Sequence, residues 1–477
     1  MKYKLLILLS LLFSLEMEAQ NNTDEQQPIY KITLDIPSQK NNKIFLGQYW
    51  NGATYAIDSV QLTAKGKGFF SIKKELPAGQ FFIYSKPAFQ IDLLINDNQK
   101  KDIAIAIDES NPAKNSVKGS HDTELLWNYL LELDKISQPK HNLEKALADS
   151  TISVEKRSDL EKQIEQIDAQ MDLYTNSQIA KYEKDWFGIF IKGNTPIKLL
   201  HPKPNSVTEY RQNVNYGKEH FFDNIALSDS RIWRTNYIYT YVDSYMNHWI
   251  DQEPDSLAYA AKRLVEKTKG NEFAFEKMLS YLANNSLKSK RMGDENTWAL
   301  LFETYIQDKK LSWITDAQMS ELSKMYEYLK ENRIGMKAHN LTLQTVDGKE
   351  INTNDIEAKY LLLYFYDPSC GHCTSQLPNI HKTYEKFKDK GFKVVTMNIA
   401  YDKAKKEVWE KYIKNNKLED WINCADPEYK SQYWMHFDTS GVPFAYILDK
   451  NKKIIARRLS DKDIDYIINF YLGNGTN

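Results

Sequence analysis

The chain has 477 residues, more than one hydrophobic core normally holds, so roughly two to four domains are expected. Its 63 Lys and Arg balance 64 Asp and Glu without a long run of either charge, which argues against nucleic acid as a partner. Three cysteines are too few for a framework of disulfides, so the cores must be stabilised by packing.

The N-terminus has the layout of a secretory signal peptide. Two lysines precede an apolar run from Leu5 to Leu15, and the small residue Ala19 follows. The run is shorter than the about 20 apolar residues of a membrane span, and no second such run occurs later. We therefore expect residues 1–19 to be a cleaved signal peptide. The mature protein would then be periplasmic or otherwise extracytoplasmic, without a stable membrane span.

Residues 29–118 are predicted to form a β-rich domain of unknown function. Short apolar runs alternate with turn residues, as Ile103, Ile105 and Ile107 illustrate. This pattern favours a small antiparallel sandwich or barrel. No cluster of titratable residues in it indicates chemistry, so a binding or spacer role is expected.

Residues 120–332 are predicted to form an all-α domain. Apolar residues recur at helical spacing from Leu125 to Leu133, and a heptad-like seam from Leu160 to Tyr174 predicts an antiparallel helical hairpin. An aromatic stripe at every fourth residue predicts one wide apolar face of a buried helix. Its members are Trp233, Tyr237, Tyr241, Tyr245 and Trp249.

Residues 335–477 are predicted to form an α/β domain. The run Tyr360–Tyr366 reads as a strand buried on both faces, Thr374–Lys388 as a helix, and Phe392–Ala400 as a second strand. A hairpin and a closing helix follow. The predicted fold class is therefore multidomain α+β, with an antiparallel β sandwich or barrel, a central all-α domain and a C-terminal α/β domain.

Two cysteines, Cys370 and Cys373, lie at the junction of the predicted strand and helix. Disulfide exchange needs an exposed thiolate and a second thiol within reach, and this pair supplies both. A helix N-terminus carries about half a positive charge, which would stabilise the Cys370 thiolate, and protonated His372 would add to this. We expect Cys370 to be the nucleophile and Cys373 the resolving thiol.

Other uses of the pair are less consistent with the sequence. A zinc site needs about four ligands, and no finger-like spacing occurs, so no metal site is expected. A peroxide reductase places Thr or Ser two to three residues before its reactive cysteine, inside a Pro-rich loop and with an Arg facing it, a pattern that "DPSC" lacks. A structural disulfide closing so short a loop would stabilise the fold little. The other zinc ligands considered are His372, His381, His436 and Cys424.

The order of these motifs, from "GMKA" at Gly335 through "CGHC" to "SGVPFAYILDKNKKII", resembles the TlpA/ResA type of extracytoplasmic thioredoxin-like thiol-disulfide oxidoreductase. The resemblance implies a thioredoxin fold and places Pro443 as a cis-proline facing the pair. It makes Val442 and Gly371 the expected substrate-binding residues, Val442 offering backbone groups to a bound peptide. More weakly, residues 29–330 resemble the uncharacterised β-rich and helical domains that precede such modules.

The sequence departs from that family at two positions. Tyr364 stands where thioredoxins bury an Asp, and Gln376 stands where TlpA/ResA types often have a Glu. Without a carboxylate, deprotonation of Cys373 falls to water, His372 or another group, and slow turnover is expected. Asp367 is a nearby candidate, although ordering the turn before Pro368 is its favoured role.

The remaining cysteine, Cys424, lies in a predicted strand and is expected to be a buried free thiol. A regulatory partner for Cys370 is the alternative. Serine in place of Cys424 tests this, because unchanged turnover would exclude that partnership.

The predicted function is thiol-disulfide oxidoreduction, as reductase or isomerase, on protein thiols and disulfides. It would need no cofactor and would use an envelope electron donor or acceptor. The Gly-His pair between the cysteines matches that of protein disulfide isomerases, so a less reducing potential than thioredoxin's is expected. The helical region is also a candidate for homodimer formation. The alternative is an envelope ligand- or partner-binding protein whose thioredoxin-like domain is a redox switch or lacks turnover.

Overall fold

The computed structural model describes residues 28–86, 89–97, 99–437 and 441–473. It divides into two compact units, one holding 28–251 and 263–281, the other 252–262 and 282–473. The predicted fold class is confirmed: β-sheets come first, helices follow, and an α/β domain ends the chain. The predicted signal peptide, residues 1–19, lies outside the described residues.

The N-terminal strands form two four-stranded sheets, ordered β4-β1-β7-β8 and β3-β2-β5-β6. Apolar side chains of both sheets share one core, for example Ile32 and Ile105 from the first sheet and Leu46 and Ile83 from the second. This packing confirms the predicted sandwich, although β1 and β7 run parallel. The strands are β1 (Tyr30–Asp35), β2 (Lys43–Trp50), β3 (Ala53–Gln61), β4 (Lys67–Ile72), β5 (Gly79–Ser85), β6 (Phe89–Ile95), β7 (Asp102–Ala106) and β8 (Ser116–Lys118).

Helices dominate the stretch between the sheets and the last domain. The first two are antiparallel, since Tyr129 stacks on Tyr174 with ring centroids 5.8 Å apart while Lys140 pairs with Asp168. The predicted helical hairpin is therefore confirmed. The helices are α1 (His121–Leu147), α2 (Val154–Lys181), α3 (Trp186–Gly193), α4 (Val207–His220), α5 (Ile238–Ser244), α6 (Pro254–Lys267), α7 (Glu272–Lys288), α8 (Glu295–Leu301) and α9 (Asp316–Leu329).

The aromatic stripe does not lie on one helix, so that part of the prediction is wrong, although Trp233, Tyr237 and Tyr245 are buried as predicted. A short 3-10 helix, Ile232–Arg234, precedes α5, and a π-helical turn, Tyr245–Trp249, follows it. The change of pitch brings Trp249 to Phe221, with ring centroids 5.7 Å apart. Its ring also packs on Gly217, where an added Cβ would lie 1.7 Å from a ring carbon. The break in the regular helix thus coincides with close packing of large rings.

The C-terminal domain is built on one seven-stranded sheet, ordered β10-β9-β13-β12-β11-β14-β15. The central strands β11, β12 and β13 are parallel, and the outer ones are antiparallel. Its elements are β9 (Thr342–Thr345), β10 (Glu350–Asn352), β11 (Tyr360–Tyr366), α10 (Gly371–Phe387), β12 (Phe392–Asn398), α11 (Lys406–Asn415), β13 (Ile422–Ala425), α12 (Tyr433–His436), β14 (Phe444–Asp449), β15 (Ile454–Arg457) and α13 (Asp461–Ile468).

Strand β11 is buried on both faces because it is apolar at every position. Leu362, Tyr364 and Tyr366 pack on one face with residues of α10, α11 and α13. The residues between them pack into a second core on the other face. Parallel strands place their carboxyl ends together, so the turn after Tyr366 opens at the edge where ligands meet such sheets.

The chain segment ahead of this domain packs against its last strand. The Gly335 N–H donates to the Ile454 carbonyl at 2.8 Å, and the Ile454 N–H donates to the Met336 carbonyl at 2.8 Å. Arg457 on β15 forms an ion pair with Glu295 at 2.9 Å, and their side chains are only 3% and 16% exposed. Arg457 also donates to the carbonyl of Asn332.

Within the described residues, none of the helices combines the length and the apolar character that crossing a bilayer requires.

Candidate active site

Cys370 is the residue that caps the N-terminus of α10. Its Sγ accepts a hydrogen bond from the backbone N–H of Cys373 at 3.4 Å. The turn before it is held by Asp367, whose carboxylate accepts from both the backbone N–H and the hydroxyl of Ser369 at 2.7 Å. The Asp367 side chain therefore orders this turn. The sulfur of Cys370 faces the positive end of the helix dipole.

The two sulfurs differ in exposure. Cys370 is partly exposed, whereas Cys373 is 0% exposed within the core beneath α10. Burial, followed by a hydrogen bond to Cys370, raises the pKa of Cys373 to about 12. No disulfide joins them in this structure. Cys370 is thus the more accessible of the two sulfurs, while Cys373 keeps its proton.

Gly371 and His372 occupy the first exposed turn of α10. A Cβ added at Gly371 would meet nothing within 4 Å, so the surface beside Cys370 is open. The carbonyl of His372 accepts from the Ser375 hydroxyl at 3.0 Å, which secures the turn. The roles of Gly371 in substrate binding and of His372 in thiolate stabilisation stay predictions.

The loop before β14 lies beside the cysteine pair. The Val442–Pro443 peptide bond is cis. The Val442 carbonyl oxygen lies 3.6 Å from Cys370 Sγ, within the range of a weak S–H hydrogen bond. The structure thus brings Val442 to Cys370 from a position 72 residues further along the chain.

Tyr364 stands at the position where thioredoxins bury an Asp. It is 0% exposed, and its hydroxyl donates to the Cys373 carbonyl at 3.1 Å. Burial raises the pKa of Tyr364 far above its usual range, so the phenol stays protonated as a donor. Among the described residues, no carboxylate is hydrogen bonded to the Cys373 thiol. Gln376 supplies no base, and its buried amide oxygen accepts no hydrogen bond within the described part of the chain.

Two aromatic residues of α11 extend this buried polar group, although no pattern in the sequence indicated their role. Trp409 donates from Nε1 to the Tyr366 hydroxyl at 2.7 Å. The Tyr412 hydroxyl lies 3.0 Å from the Thr374 hydroxyl, one residue after Cys373. In the sequence both residues mark only the apolar face of a helix. The contacts of Trp409 with β11 and of Tyr412 with α10 are tertiary contacts that no local spacing encodes.

Cys424 lies in β13 as a buried free thiol. Burial raises its pKa to about 12, so it is protonated and unreactive at neutral pH. It packs in the core on the opposite face of the sheet from Cys373. This separation argues against a partnership with Cys370.

One group of three residues has the ligand types of a metal site. Glu331, His339 and His436 place one ligand atom each within 4.8 Å of one another. In the sequence, His436 is a zinc candidate only together with the cysteines. Glu331 and His339 gave no signal, because His436 lies 105 residues beyond Glu331 in the chain.

Comparison with known proteins supports the predicted thioredoxin-like fold of the C-terminal domain. Residues 334–459 match the AhpC/TSA family. These residues form a thioredoxin-like domain. It is 25% identical over 123 residues to "Thiol-disulfide oxidoreductase ResA" of Bacillus thuringiensis and 29% identical over 123 residues to that of Halalkalibacterium halodurans.

These matches cover 26% of the chain and 56% and 54% of the two relatives, so the chain spans about half of their length. A solved thioredoxin-like protein from Bacteroides caccae is 18% identical, with a TM-score of 0.42, over 58% of this chain and 98% of that one. A thiol:disulfide interchange protein from Bacteroides sp. is 25% identical, with a TM-score of 0.28, over 31% of this chain and 95% of that one.

Proposed function

We propose that this chain is an extracytoplasmic thiol-disulfide oxidoreductase that exchanges disulfides with protein substrates through Cys370 and Cys373. The observation that carries the proposal is the asymmetry of the pair. An accessible sulfur caps a helix, and its buried, protonated partner lies one turn further along. The names of the curated relatives support the same chemistry.

In the reducing direction, the Cys370 thiolate attacks one sulfur of a substrate disulfide. A Cys370–substrate disulfide forms, the substrate S–S bond breaks, and the released substrate thiolate takes up a proton. Cys373 then loses its proton and attacks Cys370 Sγ, which closes the Cys370–Cys373 disulfide and releases the second substrate thiolate. Two electrons thereby pass from the protein dithiol to the substrate. An external dithiol restores the reduced pair, and the reverse sequence oxidises a substrate.

The proton of Cys373 has no carboxylate acceptor hydrogen bonded to it among the described residues. The departing substrate thiolate is the nearest new base formed during the reaction, and water is the other. Tyr364, protonated and bound to the Cys373 carbonyl, positions the helix turn. Resolution of the mixed disulfide is therefore proposed as the slow step.

Substrate binding is proposed at the edge formed by Val442 and Pro443. The Val442 backbone would pair with an extended substrate segment, as an added strand does. The 3.6 Å approach of its carbonyl to Cys370 Sγ supports this, because a peptide paired there would lie against the nucleophile. The open surface at Gly371 supplies the space.

The decisive experiment is insulin reduction by dithiothreitol with the full chain. Wild type should accelerate it, and Cys370→Ser should abolish the acceleration. The reduced Cys373→Ser variant, mixed with insulin in the absence of dithiothreitol, should accumulate a mixed disulfide that non-reducing electrophoresis detects. Cys424→Ser, the matched control, should behave as wild type. Peroxide consumption without insulin reduction would refute the proposal in favour of a peroxidase. Ligand binding to the full chain without any thiol turnover would favour the binding protein instead.

The potential is tested separately by equilibrating the chain with reduced and oxidised glutathione. The proposed value lies above the about −270 mV of thioredoxin. A midpoint as low as that of thioredoxin would contradict the contribution proposed for the Gly371-His372 pair, without affecting the assignment of the cysteines.

A further inference from the structure

We propose that Glu331, His339 and His436 form a binding site for a divalent cation of the zinc class. His436 Nδ1 lies 3.1 Å from Glu331 Oε2, and His339 Nδ1 lies 3.8 Å from the same oxygen. The two imidazole rings stack with centroids 3.4 Å apart. This site is separate from the cysteine pair in its residues and its chemistry, and it does not depend on the proposed redox function.

The separations of the two histidines from Glu331 suit zinc, and the three ligand atoms all lie within 4.8 Å of one another. Zinc binds nitrogen and oxygen ligands at about 2.0–2.2 Å, so two ligands of a tetrahedral site lie about 3.3 Å apart. The separations of 3.1 and 3.8 Å bracket that value. Two histidines and one glutamate are a known zinc ligand set, in which water fills the fourth position.

The three side chains are accessible enough to take up an ion. Those of Glu331, His339 and His436 are 48%, 39% and 22% exposed. The rings of His339 and His436 are parallel, so their in-plane nitrogen lone pairs point side by side. Each ring must tilt toward an ion that both bind. Partial exposure permits that tilt. The Glu331 carboxylate supplies the negative charge that a pair of imidazoles lacks.

The positions of the ligands indicate what a bound ion would do. Glu331 follows α9, His339 lies in the segment leading to β9, and His436 ends α12. His436 also precedes Pro443 by seven residues. A bound ion would therefore fasten the stretch that holds Glu331 and His339 to His436, which lies 105 residues beyond Glu331 and precedes the loop beside Cys370.

The test is titration of the full chain with zinc by calorimetry, with Cys370 and Cys373 both replaced by serine so that their thiols bind no metal. One saturable ion per chain is expected. Glu331→Gln and His436→Asn should each weaken binding by at least about 10-fold, the loss that even an indirect partner of a metal ligand can cause. His141→Asn, which alters an exposed histidine of α1, is the matched control and should bind as the parent does.

Cobalt provides a second measurement that does not depend on heat. A four-coordinate site with two nitrogen ligands should give visible absorption bands that excess zinc removes and that Glu331→Gln and His436→Asn lose. Circular dichroism of each variant without metal checks that it is folded. Absence of saturable binding, or equal binding by the parent and both variants, would overturn the proposal.

Discussion

The protonated state of Cys373 makes a quantitative prediction about the rate of disulfide exchange. Its pKa of about 12 is caused first by burial and second by the hydrogen bond to Cys370. Only the thiolate attacks a disulfide. If a thiol has a pKa of about 12, its thiolate fraction is about 10⁻⁵ at pH 7 and about 10⁻³ at pH 9.

Forming a mixed disulfide at Cys370 removes the hydrogen-bond contribution but leaves Cys373 buried. Because burial is the larger cause, the pKa of Cys373 should stay above its ordinary value of 9.0. The rate at which Cys373 resolves the mixed disulfide should then rise about 10-fold per pH unit, or about 100-fold from pH 7 to pH 9.

Stopped-flow mixing of the reduced chain with one equivalent of an aromatic disulfide measures both steps, because each releases one coloured thiolate. The first phase reports attack by Cys370, and the second reports resolution by Cys373. Cys373→Ser should retain the first phase and lose the second, whereas Cys424→Ser should retain both. A second phase that is independent of pH from 7 to 9 would refute the reasoning, since it would require a local base that takes the Cys373 proton.

Three further predictions concern stability, measured by urea unfolding. Tyr364→Phe removes the hydrogen bond to the Cys373 carbonyl and should lower the free energy of unfolding by about 1 kcal/mol while leaving the first phase of exchange unchanged; a loss several times larger would show that the phenol holds more than this carbonyl. Above pH 9 the Cys424 thiol keeps its proton in the folded state but loses it in the unfolded state. Its contribution to the free energy of unfolding should therefore fall by about 1.4 kcal/mol per pH unit from about pH 9.5 to 11. In Cys424→Ala the free energy of unfolding should fall with pH less steeply by that amount, and an unchanged pH dependence would contradict the burial argument. Arg457→Met leaves the carboxylate of Glu295 buried without its partner and should lower the free energy of unfolding by about 3–5 kcal/mol. The double variant with Glu295→Met should regain most of that stability. Equal losses in the single and double variants would show that the ion pair is not the cause.

The elements predicted best are those whose burial follows from local pattern. Strand β11 coincides with its predicted run, Tyr360–Tyr366, because a strand buried on both faces must be apolar throughout. Strand β8, Ser116–Lys118, was missed because its single buried residue, Val117, gives no periodic signal. Helix α10 begins at Gly371, three residues before the predicted start, because its cap is a cysteine rather than a usual capping residue.

The candidate site divides in the same way. The spacing of Cys370 and Cys373 predicts the pair, because its position after a strand is a local feature of the sequence. The contacts of Tyr412 with α10 and of Glu331 with His436 arise only when distant segments fold together. No single-sequence pattern encodes them, and they require the tertiary structure.

The pairing of residues 335–338 with β15 also affects how copies of this chain meet. An end strand with free N–H and C=O groups is a template on which another sheet can extend. Here Gly335 and Met336 occupy the outer hydrogen-bonding groups of Ile454, and the guanidinium of Arg457 is taken by Glu295 and Asn332. The segment that joins the helices to the last domain therefore also protects the edge strand β15 from pairing with the sheet of another copy.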